Sequence, residues 1–452
     1  MQVMKWSALA LAVTAGTTQL AFASAQDESK GFVEDSKLSV LNKNYAFYRD
    51  FRNNGVQNGG KATDQNYRNE WAHGIMATYE SGYTQGTVGF GVDAHGMLGL
   101  KLNSGKGTDG TGLLPTGSDG RSQDDYSYAG GAVKVRVSNT EFKYGNLIPV
   151  APVFATGTAR LFPGSAEGFQ ILSKEIEGLS IDAGHFTSIR DGSASTNRDG
   201  KITLAYGGAI DAKNADYVGG TYTINDQLSV SLYGAELEDI YRQYYSNVNY
   251  TLPLTDDQAL GFDFNIYRTN DEGKSKAGDI SNTTFSLAAS YTIGAHKLTL
   301  AHQRVNGDEP FDYIAMDGQN SGDSIFLANS VQYSDFNAPN ERSWQVRYDL
   351  NMATLGVPGL SFMARYITGS HADGTSADAT GAYAGAFGRD GKEWERDLEA
   401  KYVVQEGPAK DLSFRVRHAT WRSNNDMGGF YSNNSSAVDE IRVITEYPLD
   451  IL

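Results

Sequence analysis

The 452 residues contain no cysteine. That excludes disulfides, zinc–thiolate sites and cysteine nucleophiles. Proline is scarce, at 10 residues, which suits long uninterrupted strand ladders, because each proline inside a ladder would remove a hydrogen-bond donor. Beyond the first residues no stretch approaches the roughly 20 apolar residues of a membrane-spanning helix. Mean hydropathy is −0.42, the value of a secreted soluble protein, but a membrane β-barrel reads the same way, since its apolar and polar residues alternate and cancel in a window. Bases are outnumbered, 38 Lys+Arg against 54 Asp+Glu, for a formal charge of −16. A nucleic-acid partner needs a basic face and is not expected. No His cluster has metal-ligand spacing and the Asp-rich loops lack the EF-hand pattern, so no metal and no cofactor is expected. Gly55 to Lys61 nearly spells a P-loop, but Ala62 stands where Ser or Thr would hold Mg²⁺.

What is present begins with an export signal. Lys5 precedes a short apolar run, Trp6 to Thr14, and Ala21-Phe22-Ala23 and Ala23-Ser24-Ala25 both read as A-x-A cleavage sites. Cleavage after Ala23 is expected. The alternative is a membrane anchor, for which the run is too short. Residues 1–23 then form a signal peptide and residues 24–452 a single domain. Losing residues 1–23 removes one lysine and no acid, which moves the charge from −16 to −17. Export without disulfides suits a bacterial envelope protein held by a closed hydrogen-bond ladder. The 51 Gly, 26 Tyr and 20 Phe fit strands and interfacial girdles.

Period-two segments recur along the chain. Val133, Val135 and Val137 alternate with Lys134 and Arg136. Leu260, Phe262, Phe264 and Ile266 alternate with Gly261, Asp263 and Asn265. Phe285, Leu287, Tyr291 and Ile293 alternate with Ser286, Ser290 and Thr292. Trp344, Val346 and Tyr348 alternate with Gln345, Arg347 and Asp349. Phe414 and Val416 alternate with Arg415 and Arg417, and Ile441 and Val443 flank Arg442. Each run covers about nine residues, the length of a tilted membrane strand. A soluble sandwich also alternates, but it needs a second sheet over its apolar face. The connections favour the barrel, because they too alternate. Thr255 to Gln258 and Gly294 to His296 are short, as periplasmic turns are. Roughly 103–128, 190–200, 268–283, 305–330, 369–392 and 423–438 are long and rich in Gly, Asp, Ser and Asn, as extracellular loops are. Residues 143–173 break the alternation. They hold Pro149, Pro152 and Pro163 among apolar residues, as an inward-folded constriction loop would; the alternative is an irregular edge strand.

The segments YESGYTQGTVGFGVDAHG (79–96), AGGAVKVRVS (129–138), GTARLFP (157–163), LYGAELEDIYRQYY (232–245) and GPAKDLSFRVR (407–417) resemble the OprD-type outer-membrane porins, the outer-membrane carboxylate channels. The resemblance spans essentially the whole mature chain. It implies an all-β fold, an eighteen-stranded antiparallel transmembrane barrel narrowed by inward loops, in the outer membrane of a Gram-negative cell. It implies a ladder of lumen arginines at Arg49, Arg68, Arg160, Arg415, Arg417 and Arg442. Parity alone puts Arg415, Arg417 and Arg442 on the polar face, and leaves Arg49 ambiguous because Tyr45 and Phe47 share its parity. These arginines either conduct carboxylates or pair with lumen acids such as Glu446 and stabilise the wall. The resemblance also implies a pocket for a basic group at Tyr313, Asp323, Ser324, Ser330, Tyr333 and Asp335. The implied partners are small carboxylates, foremost basic amino acids and small basic peptides, with carbapenem antibiotics such as imipenem by mimicry. Sister channels take aromatic or other organic acids. Monomers and loose homotrimers both occur in the family. Serine-protease activity credited to some members would fall on His185, Asp239 and Ser324. Against it, no G-x-S-x-G elbow is present, and residue types do not make a triad without geometry.

Overall fold

Alternating apolar and polar residues stabilise a strand only if the two faces meet different media, and in this chain eighteen strands find them by joining one closed sheet. The computed structural model describes residues 24–452 apart from 53–56, 59–60, 63–65, 195–199, 209, 317–319 and 428–434. The expected signal peptide, residues 1–23, lies outside the described residues. The wall consists of β1 (Lys37–Phe51), β2 (Tyr67–Glu80), β3 (Val88–Ser104), β4 (Asp125–Val137), β5 (Thr140–Leu147), β6 (Ser165–Ser173), β7 (Leu179–Arg190), β8 (Ala215–Asn225) and β9 (Leu228–Leu237). It continues with β10 (Tyr241–Thr255), β11 (Gln258–Asp271), β12 (Ser281–Ile293), β13 (His296–Asn306), β14 (Arg342–Asn351), β15 (Leu360–Asp373), β16 (Arg389–Val403), β17 (Ser413–Ser423) and β18 (Ala437–Asp450). Each strand pairs antiparallel with its neighbours in sequence, and β1 pairs with β18, so 18 strands close without an edge. Closure satisfies every wall hydrogen bond internally, the condition for crossing a bilayer.

The connections sort by end. Residues 138–139, 226–227, 256–257 and 294–295 are two-residue links at one end, where both barrel termini also lie. Gly294 supplies the positive φ, 53°, that a tight hairpin turn there requires. The other end carries the long connections, among them 105–124, 148–164, 191–214, 307–341 and 374–388. Two of these run longer than the sequence suggests. Residues 202–204 pair with 314–316, and Ile202, Leu204, Phe336 and Ala338 are buried. Their apolar character reflects packing inside the lumen, not further wall strands.

The outer face is the apolar one. Phe262, Leu287, Trp344, Val346, Phe414, Val416, Ile441 and Val443 are all exposed, while their sequence neighbours point inward. The expected constriction segment needs a correction at its ends. Residues 143–147 and 165–173 belong to β5 and β6 and pair with each other, so only 148–164 leaves the wall. All three prolines sit in that shorter piece, where no ladder needs their missing donors. Residues 148–164 cross the lumen and attach at both ends of their span. Phe154 stacks on Phe186 at 4.7 Å and 6°, beside Tyr217. Leu161 and Phe162 pack with Tyr45 and Tyr126 on another part of the wall, and with Leu113 of the loop 105–124. Burying each such side chain contributes about 1.5–3 kcal/mol. Gly74 on β2 makes the second seat possible, because a Cβ there would lie 2.9 Å from both Leu161 and Phe162.

Candidate functional site

The register of β16, β17, β18, β1 and β2 sets charged side chains in rows. In one row Glu399 faces Arg417, Arg417 faces Arg442, and Arg442 faces Phe47. One row toward the long-loop end, Glu440 faces Arg49 and Arg49 faces Arg68. One row toward the short-turn end, Arg415 and Tyr45 both face Ile444. Rows are two residues apart, about 7 Å along a strand. Arg49 is therefore on the lumen side. Its companions Tyr45 and Phe47 are inward-facing aromatics, 1% and 0% exposed, covered by the loop that crosses the lumen. Tyr48, between Phe47 and Arg49, is exposed on the opposite face. Parity could not settle this because buried loops make the lumen face locally apolar.

Phe47 is the platform on which the arginines meet. The guanidinium carbons of Arg442, Arg49 and Arg160 lie 4.6, 5.1 and 5.5 Å from its ring centre. Arg49 also lies 5.0 Å from the Tyr333 ring. Glu440, fully buried, holds two of them: Arg49 at 2.7 Å and Arg442 at 2.5 Å. Glu399 holds Arg415 at 3.0 Å and Arg417 at 3.2 Å. The arginines thus do pair with lumen acids, as one of the two expectations had it, but Glu446 is not among their partners; it pairs with Lys43 at 3.2 Å. In the Glu440 and Glu399 pairs with Arg49, Arg415 and Arg417 the guanidinium is the more exposed member. An acid set behind a guanidinium orients it and leaves some of its five donors facing the channel.

Arg68 and Arg160 are held by carbonyls. Arg68 donates to Gly110 O at 2.6 Å and Arg160 to Thr111 O at 2.8 Å. That loop is pinned in turn by Glu70, which accepts from the Thr111 N–H at 2.8 Å, from the Ser122 hydroxyl at 2.6 Å and from the Thr111 hydroxyl. A carbonyl orients a guanidinium without neutralising it. Burial, with the like charges of Arg442 and Arg49, lowers Arg160 to about 10, so it keeps its charge at neutral pH.

The loop 307–341 brings carboxylates into the same region. Asp323 accepts from the Thr158 N–H at 2.9 Å and the Thr158 hydroxyl at 2.6 Å, two residues from Arg160. Burial raises this carboxyl above its usual range, while the Thr158 bonds and the Arg160 charge pull it down. The Ser324 hydroxyl accepts from the Ala155 N–H at 2.6 Å. Asp335 accepts from the hydroxyls of Ser330 at 2.6 Å, Tyr313 at 2.8 Å and Tyr206 at 2.6 Å. The six expected pocket residues therefore separate into three groups. Tyr313, Ser330 and Asp335 come together; Asp323 and Ser324 clasp the crossing loop; Tyr333 stands with Arg49 and Trp421.

The three residues of the expected triad are apart. His185 is on the outward parity of β7 and meets Asp216 at 2.7 Å. Asp239 lies between β9 and β10 and pairs with Lys274 at 2.8 Å. Ser324 is fully buried against Ala155. No Ser–His hydrogen bond joins them, so the geometry that defines a triad is missing.

Sequence reasoning passed over Glu440, Glu399, Phe47, Thr158 and Tyr206. The signal for Glu440 was available, since it shares parity with Arg442 two residues on. Glu399 alternates with apolar Leu398 and Ala400 in a strand rich in charge. Thr158 and Tyr206 are loop residues placed only by tertiary packing.

The chain is similar to known proteins throughout. The family model described as outer membrane porin, OprD family, matches residues 30–451. Porin D of Pseudomonas aeruginosa is 59% identical, with 100% of both chains covered. A crystal structure of Pseudomonas aeruginosa OprD superposes with a TM-score of 0.81 at 56% identity, covering 96% of this chain and 100% of that one. The structure of Pseudomonas aeruginosa OpdK with vanillate superposes with a TM-score of 0.80 at 34% identity, covering 93% and 100%.

Proposed function

The chain belongs to the OprD family of outer membrane porins, and from that premise we propose that this passive channel selects small carboxylate-bearing solutes, foremost basic amino acids and small basic peptides. One observation carries the reading. Three guanidiniums gather around Phe47 where the crossing loop narrows the lumen, and Asp323 of loop 307–341 is held two residues from one of them, Arg160. A carboxylate meets planar donor forks in successive rows and passes from one to the next. Each contact must be weak enough to release its guest. Asp323 and Asp335 supply a counter-field for an ammonium or guanidinium group on the same solute. Carbapenems such as imipenem, with a carboxylate and often a basic group, meet the same pair of requirements. The channel carries out no chemical reaction in this reading, because His185, Asp239 and Ser324 each have other partners. Residues 1–23 act as a signal cleaved after Ala23, and the mature barrel works as a monomer or a loose homotrimer.

The test is uptake of arginine, glycine and succinate by cells with each variant as their sole major porin. Arg160→Ala removes a charged contact worth about 1.5–3 kcal/mol, so uptake of all three carboxylates should fall roughly tenfold or more. A double Asp323→Asn, Asp335→Asn variant should lower arginine uptake selectively. An unchanged arginine-to-glycine preference would remove the acidic side from the proposal and favour a channel for organic acids.

A further inference from the structure

The outer face of the barrel carries its own charges, and one sector of it is unusual. Near the long-loop end Arg304 on β13 and Arg342 on β14 are direct register partners. Both share the parity of exposed lipid-facing residues, Leu298 and Leu300 on β13, Trp344 and Val346 on β14. Directly opposed residues in an antiparallel pair have Cα atoms about 4.5–5.5 Å apart, and like charges so placed repel. Among the described residues neither arginine makes an ion pair with a carboxylate, and Arg304 Nε is buried without a hydrogen-bond partner. Arg268 on β11 projects from the same face one row higher. Its donors go to neutral atoms: the Thr283 hydroxyl at 3.0 Å, Asn270 Oδ1 at 2.6 Å and the Ser281 hydroxyl at 3.0 Å.

Several other outward arginines at this rim are neutralised. Arg52 pairs with Asp439 at 2.5 Å, Arg242 with Glu236 at 2.8 Å and Arg422 with Asp439 at 2.9 Å. A chain of formal charge −16 has acids to spare, yet places none beside Arg304 and Arg342. The sector thus presents two facing guanidiniums without an ion-pair partner among the described residues, and a third, Arg268, held by neutral atoms with Glu309 near it. They sit immediately above an apolar surface. Trp344, 60% exposed, lies one row below Arg342 and stacks on His302 at 4.2 Å, as an interfacial aromatic does. Below it Leu300 and Val346 continue the apolar band.

We propose that the β11–β14 sector is a binding site for the phosphate groups of an anionic lipid in the outer leaflet. Arg304 and Arg342 hold one phosphate between their forks, Arg268 reaches a second acidic group of the same headgroup, and the acyl chains lie along Trp344, Leu300 and Val346. Guanidinium forks match phosphate oxygens in pairs, and a bound phosphate removes the repulsion between the two arginines. The apolar surface directly below selects a lipid over a free anion. The site is independent of the lumen, since Arg304 and Arg342 face away from it.

The test uses the purified full barrel in detergent, titrated separately with lipid A, with dephosphorylated lipid A and with inorganic phosphate, and read by native mass spectrometry. The double variant Arg304→Gln, Arg342→Gln should bind lipid A at least tenfold more weakly than the parent, which corresponds to losing one charge-assisted contact. Dephosphorylated lipid A should bind parent and variant equally weakly. Arg304→Lys, Arg342→Lys should fall between, and Arg242→Gln, at a paired rim arginine, should match the parent. Bilayer conductance of the double variant should be unchanged, which also reports that the barrel has formed. Should the double variant not fold, the single Arg304→Gln and Arg342→Gln variants carry the same comparison. Equal lipid A binding by parent and variant would overturn the proposal. Competition by inorganic phosphate at the concentration that lipid A requires would overturn the lipid in favour of a simple anion site.

Discussion

Two walls of the same lumen are built from the same strand geometry and carry opposite chemistry. The inner face of β16–β18, β1 and β2 bears Arg49, Arg68, Arg415, Arg417 and Arg442, with Glu440, Glu399 and Glu70 set among them. The inner face of β8–β12 is largely neutral. Its side chains bond one another: the Tyr245 hydroxyl donates to Asn265 at 2.6 Å, Asn247 to Asn265 at 2.9 Å, and Gln243 to Thr269 at 3.1 Å. The ladder closes through both walls. The difference teaches that ladder and lipid face hold the barrel together, while the inner face is left to carry charge on one arc only. The charged arc then needs internal acids that the neutral arc does not.

Three measurements sharpen or break that comparison. The largest effect is expected at Glu440. Glu440→Gln leaves Arg49 and Arg442 crowded with Arg160 around Phe47 and no carboxylate between them. Removing one partner of a buried charge pair costs about 3–5 kcal/mol. Urea unfolding in lipid vesicles should show that loss, and a midpoint equal to the parent's would mean that the arginine cluster does not depend on its buried acid.

Next comes the contrast between the two faces of one strand. Val416 is exposed on the outside of β17, between the inward Arg415 and Arg417. Val416→Arg should destabilise insertion by about 2–4 kcal/mol near the midplane, whereas Arg417→Ala should leave folding intact and slow carboxylate uptake. Folding yield and uptake measured on both variants decide it; matching losses of folding would contradict the face assignment.

The smallest effect belongs to the neutral wall. Tyr245→Phe removes one hydrogen bond to Asn265, worth about 1 kcal/mol. Stability should drop by that amount while the ratio of succinate to glycine uptake stays constant. A shifted ratio would show that the neutral wall also discriminates charge, and the two-wall description would fail.

Much of this was legible in the residues. Period-two alternation marked which residues of the strands around Phe262, Trp344, Phe414 and Ile441 face lipid, because lipid and lumen are different solvents for a side chain. Short and long links separated the two ends. The arginines at 415, 417 and 442 followed from parity alone. Illegible were Arg49's side of the wall, the true limits of the crossing loop, and the grouping around Asp335. In each case a loop folds into the lumen and makes inward positions apolar or supplies a partner from far along the chain, as Tyr206 does for Asp335.

The sequence by itself determined a strand wall, its two faces and the inward side of Arg415, Arg417 and Arg442, since those depend on local alternation and on hydrogen bonds between neighbours in the chain. Only the tertiary structure decided which acids hold those arginines, that Arg68 and Arg160 rest on carbonyls, that His185, Asp239 and Ser324 stay apart, and that Arg304 meets Arg342 on the outside. Those facts depend on strand register and loop packing, where contacts join residues from tens to hundreds of positions apart and no local period records them.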